Sequence, residues 1–131
     1  MALNVVLLKK IKKHILAYPR AFDMSDWGRS APINQATPCG TVACIAGWAC
    51  YLSPKAKTIK AGFEIKEPWT AQGAARNLLG LQSEVASCLF NAFTWPPDLY
   101  AAYDVARSYK KRSEIAACVI DRLINNKGKS L

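Results

Sequence analysis

Along residues 2–18 the apolar positions fall three and four apart. Val5, Leu8, Ile11 and Ile15 share one face with Lys12 at its edge, while Lys9, Lys10 and Lys13 take the other. That spacing predicts an amphipathic helix with one side in a core. Lys12 can carry its ammonium outward from the stripe, and His14 reads as a boundary residue beside it. Tyr18-Pro19 ends the helix, because proline restricts the residue before it and has no N–H to donate. Residues 19–38 lose the period. They read as a long connection tacked to the core by Phe22, Met24 and Trp27, and a loop of that length inside a domain is commonly pinned or functional.

Residues from about 38 to 52 are apolar on every side, which places a helix in the middle of a core. Its start is open between two caps: Thr37 with Pro38 at the first helical position, or Thr41. Cys39, Ala43, Gly47 and Cys50 make a stripe of small side chains along it. Gly47 costs about 1 kcal/mol of helix propensity relative to alanine, a cost that a close helix–helix contact explains. Around Ala61-Gly62 the text alternates apolar and charged residues, which suits either a small hairpin near 58–66 or an irregular crossover.

Helical text then returns. One helix runs from Thr70 to Leu79 with Gly80 as its stop. The next opens at Ser83-Glu84 and turns Val85, Ala86, Leu89, Phe90 and Phe93 inward, and Trp95-Pro96-Pro97-Asp98 makes a corner. A further helix is expected from Asp98 to about Arg112, and a last one from Ser113-Glu114 to near Asn126 that buries Ile115, Val119, Ile120 and Leu123. The expectation is an all-α single domain over 1–131, five or six helices around the central helix 38–52.

Composition sharpens this picture. With 131 residues, 51% of them hydrophobic, the chain is long enough for a packed core without metals or disulfides. No apolar run approaches the length of a membrane span. The N-terminal charges follow the apolar residues, the reverse of a secretory signal, so a cytoplasmic setting is expected. Five cysteines, an odd number without framework spacing, read as reduced thiols, with Cys88 and Cys118 as core residues. No C-x-x-C occurs and His14 is the one histidine, so neither a metal nor another cofactor is expected.

Eighteen basic against nine acidic residues give a net charge of +9, which favours an anionic partner. Two basic clusters carry it. One is Lys9, Lys10, Lys12 and Lys13; the other joins Arg107, Lys110, Lys111 and Arg112 to Tyr103 and Tyr109, a mixture suited to phosphate contact and base stacking. The alternative for both is a solvated helix face. No helix-turn-helix, zinc-finger or RNP signature accompanies them. Gly40 and Thr41, at the expected mouth of the central helix, are candidates for holding an anion on backbone amides and a hydroxyl, with simple capping as the alternative. Cys39 is the one candidate nucleophile, its thiolate favoured by that helix start, against a plain space-filling role. Paired carboxylates for acid–base work are absent: Glu84 and Asp98 read as helix starts, Asp104 and Asp121 as surface charges.

Cys39-Gly40-Thr41-x-x-Cys44-x-Ala46-Gly47-Trp48, followed by Leu79-Gly80-Leu81, Leu89-Phe90 and Trp95-Pro96, resembles small proteins of bacteria and their phages that carry a C-G-T-x-x-C-x-A-G signature. The likeness covers about residues 22–100. It implies a shared fold and a phage or mobile-element setting, and no activity. Asn34-Gln35 ahead of Cys39-Gly40 also echoes papain-like proteases, but no histidine follows residue 14 to act as base, and that reading fails. The expectation is therefore a non-enzymatic basic protein that occupies an anionic partner: a nucleic acid, a nucleotide, or an acidic face of a host protein whose system it inhibits. The alternatives are an enzyme using Cys39 and a structural or oligomer-forming protein.

Overall fold

The computed structural model describes residues 2–24, 29–30, 41–53 and 68–131. Six α-helices make up most of them: α1 (Val5–Ala17), α2 (Ile45–Leu52), α3 (Pro68–Leu79), α4 (Ser83–Phe90), α5 (Pro97–Val105) and α6 (Tyr109–Asn125). Short 3-10 turns follow α1 (Pro19–Ala21) and α4 (Ala92–Thr94). The one pair of strands among the described residues, β1 (Arg29–Ser30) and β2 (Thr41–Val42), is antiparallel and two residues long, with Arg29 opposite Val42. The fold is all-α, and no helix among the described residues is long and apolar enough to cross a membrane.

α2 lies at the centre. Ile45, Ala46, Gly47, Trp48, Ala49 and Cys50 are all buried, and the helix packs on α1, α3 and α4. Trp48 is 1% exposed, and its indole N–H donates to the Ala21 carbonyl at 2.8 Å, so a polar tip inside the core keeps its partner. The same stretch is tied by backbone: Ala43 N–H donates to Ala21 O at 3.0 Å and Asp23 N–H to Ala43 O at 3.1 Å.

α1 and α6 run antiparallel. Near one end Leu3 packs beside Gly128; midway Lys12 Nζ and Asp121 form an ion pair at 2.8 Å; at the other end Tyr18 and Tyr109 share a cleft. Lys12 thus reaches across to α6 instead of ending in solvent. Asn4 joins α1 to α3. Its Oδ1 accepts the Leu7 N–H, its Nδ2 donates to Leu78 O, and its own N–H donates to Leu79 O. One residue therefore caps the start of α1 and satisfies two end carbonyls of α3.

Gly80 stops α3 as its position suggests. At φ +71° it takes the left-handed turn, with Leu81 N–H on Arg76 O and Gly80 N–H on Asn77 O, and any Cβ there would collide with the Ala2 carbonyl. α6 ends in the same hydrogen-bond pattern, but with Lys127 in the left-handed position, at φ 57°.

The structure departs from the periodic reading at several places. α2 begins at Ile45, not near residue 38. Thr41-Val42 is held extended against Arg29-Ser30, and Ala43 bridges to Phe22, so helix starts only once that backbone pairing is finished. The hairpin expected near 58–66 lies outside the described residues. The helix expected over 98–112 breaks at residues 106–108. Buried Ala106 ends α5, and Ser108 starts α6 with its hydroxyl accepting the Lys111 N–H at 3.1 Å. Ser113, read as a helix start, is instead fully buried within α6. Phe93 falls in the turn after α4 and is 69% exposed, while Cys88 is half-buried and Cys118 points outward from α6.

Candidate nucleic-acid interface

Because α1 and α6 are antiparallel, the end of one meets the start of the other. Ala17, Tyr18, Pro19 and Arg20 face Ser108, Tyr109 and Lys110 across a cleft of about 480 Å³. Tyr18 and Tyr109 are 41% and 45% exposed. The Arg20 guanidinium carbon lies 5.8 Å from the Tyr109 ring centroid, within cation–π range. Arg20 and Lys110 are exposed and supply positive charge on both walls.

The electrostatics of this corner favour an anion. The first turn of α6 carries no acidic residue, although the helix dipole there stabilises negative charge and opposes positive charge. Tyr109 is instead followed by Lys110, Lys111 and Arg112, and an exposed cation at that end is disfavoured by about 0.3–1 kcal/mol. A phosphate in the cleft would offset this repulsion.

The second basic cluster divides. Tyr109 and Lys110 line the cleft, and Lys111 and Arg107 are exposed beside it. Arg112 is half-buried and donates from Nε to the Ala106 carbonyl at 3.2 Å, closing the end of α5. Tyr103 belongs to the core boundary rather than to the surface cluster. Its ring stands edge-on to Trp95 at 5.1 Å and to Phe22 at 6.5 Å, and its hydroxyl accepts the Met24 N–H at 3.3 Å. Burial pushes its hydroxyl above the usual tyrosine range. Lys9, Lys10 and Lys13 are exposed on α1, about one to two helical turns before Ala17.

Thr41 does not sit at the mouth of α2. Thr41 lies in β2, ahead of Cys44, which takes the cap position; Gly40 and Cys39 lie outside the described residues. Cys44 accepts the Gly47 N–H on Sγ at 3.5 Å. A thiol at a helix start is expected to ionise easily, but this one is 1% exposed and burial pushes it up to about 12. Cys50 on the same helix is pushed up to about 11 by burial. Both thiols are protonated at neutral pH and act as packing.

Tyr18 and Arg20 were not singled out as site residues by sequence. They follow the helix stop and carry no motif, and they reach Tyr109 only through the α1–α6 pairing. A larger cleft of about 520 Å³, lined by Cys88, Trp95, Pro96, Pro97 and Leu131 among others, is mainly apolar and gathers no cationic cluster. Among the described residues no group of three or more His, Cys, Asp and Glu side chains is placed to hold a metal ion. Neither a protein-family model, nor a curated protein, nor a solved structure matches the chain.

Proposed function

We propose that this is a non-enzymatic binding protein that takes single-stranded nucleic acid across the cleft between the end of α1 and the start of α6. The observation that carries the reading is one cleft lined by two half-exposed tyrosines, Tyr18 and Tyr109, together with Arg20 and Lys110. A base has a flat face to stack on either ring, and its phosphates lie on the two cations. Lys111 and Arg107 continue the positive surface, and the +9 net charge draws a strand in from a distance. Taken with the resemblance to phage proteins, covering a strand in this way would block a host nucleic-acid-handling system.

Titration of labelled single-stranded and duplex DNA at low and physiological salt tests it. Affinity for the single strand should exceed that for the duplex and fall steeply with salt as counterion release loses its advantage. Lys110→Ala should lower the salt slope by about one, and Tyr109→Ala should cost about 1–3 kcal/mol on single strands and less on duplex. Absence of binding at low salt would move the basic face to an acidic protein partner.

A further inference from the structure

His14, the one histidine of the chain, packs against Tyr18, a residue of the cleft. Its ring centroid is 4.1 Å from that of Trp48 and 5.2 Å from that of Tyr18. Its Nε2 is buried and has no hydrogen-bond partner among the described residues. Each ring it touches holds part of the cleft. Tyr18 is a wall residue, and the Trp48 indole N–H holds the Ala21 carbonyl, the last residue of the turn that carries Arg20.

We propose that His14 is a proton-sensitive latch for this cleft: the neutral ring keeps Tyr18 and Trp48 in place, and its protonation releases them and weakens strand binding. The inference rests on the cleft being the interface, and it deepens that reading. The imidazolium has an N–H on both nitrogens. At Nε2 that donor and its charge would be buried without an acceptor, so the ring must turn toward water or draw water in. Attraction between a cation and the Trp48 face opposes this, but an indole face supplies no acceptor for Nε2. Burial alone holds the imidazole below the usual 6.5. The side chains against the ring are Tyr18, just past the end of α1, which is itself titratable, and Trp48 on α2, which is not, and the cause of the downward shift is burial.

The sign follows from linkage. The unfolded chain takes the proton first, so stability falls as pH drops from about 6.5 toward the folded value, and this contribution is constant below it. Reciprocity requires a bound strand to push the imidazole further down. Plain electrostatics predicts the opposite, because a more positive protein binds an anion more tightly at low pH. The two accounts therefore differ in direction.

Proton NMR of the wild-type protein reads the latch directly, since a single imidazole titrates. The expected result is a midpoint below about 6.5, with the Trp48 indole N–H and Tyr18 ring signals moving at the same midpoint; Trp48→Phe identifies the indole signal. A midpoint at or above 6.5, or indole and tyrosine signals that ignore the imidazole, overturns the proposal. In parallel, affinity for a labelled single strand should fall between about pH 7.5 and about pH 5.5, by up to about threefold for a half-unit displacement of the imidazole by the strand. His14→Gln should remove that fall. Affinity that rises equally in both proteins on acidification overturns the latch. If no strand binds at either pH, the interface reading fails, while the coupled NMR titration still decides whether the latch exists.

Discussion

Two helix starts in this molecule present the same backbone groups and have opposite fates. α2 begins in the core, capped by the Cys44 thiol, with six consecutive buried residues and no charged side chain. α6 begins at the surface, capped by the Ser108 hydroxyl, with three cations close behind and two tyrosines beside it. Both offer free N–H groups and the positive end of a dipole. At α2 those groups are spent on packing, and the field is too weak to ionise a thiol that burial protonates. At α6 water and ligands have access. A helix start becomes a binding feature through exposure and company rather than through its dipole.

Thiol labelling gives the widest expected contrast. Three units above an ordinary thiol, Cys44 carries about a thousandfold less thiolate at neutral pH, and its burial slows reagent further. Exposed Cys118 should label before half-buried Cys88, and Cys44 and Cys50 only with unfolding. Equal native rates for Cys44 and Cys118 would erase the distinction between the two starts. Next comes Gly47→Leu, which inserts a branched side chain into the buried first turn of α2 and should cost about 1–3 kcal/mol or more. An unchanged melting temperature would put that turn at the surface.

Ser108→Ala, at the other start, removes a hydroxyl cap and should cost about 1 kcal/mol. Ser108→Asp should keep the cap and the stability but weaken strand binding, since its carboxylate competes for the cleft's cations; unaltered binding would place the strand elsewhere. The smallest effect belongs to the far end of α6. Lys127→Gly relieves a left-handed backbone at an exposed site and should raise stability by up to about 1 kcal/mol, with no change in DNA titration. A change in binding there would show that the interface extends beyond the α6 start.

What the sequence revealed depended on how local the cause was. The α1 stripe of Leu8, Ile11 and Ile15, the Gly80 stop and the Ser83 start are each written within a few residues, and each stands in the structure. The start of α2 is not. Thr37, Pro38 and Thr41 all look like capping residues, and only the pairing of β2 with β1, from beyond an intervening stretch of chain, makes Cys44 the cap. The α5–α6 break was hidden because Ser113-Glu114 mimics a helix start while Ser108 lacks an acidic partner three residues on. For the interface, Tyr109 and Lys110 were visible as a basic-aromatic cluster. Tyr103, four residues before Arg107, packs on Trp95 and Phe22, and Tyr18 and Arg20 join Tyr109 in the proposed cleft, because tertiary contacts alone bring these side chains together.

The ion pair between Lys12 and Asp121 spans 109 positions of sequence. α1 therefore lines up with a helix that leaves the ribosome long after it. Closing so long a loop costs chain entropy before any packing repays it, which slows folding relative to a bundle of neighbouring helices. Until α6 emerges, the apolar side of α1 has no α6 to cover it, and a nascent chain at that stage is a substrate for chaperones that recognise bare hydrophobic helices. The cleft is assembled at the same moment. A prematurely terminated chain would thus carry Tyr18 and Arg20 but no opposing wall, and would expose core in place of a binding surface.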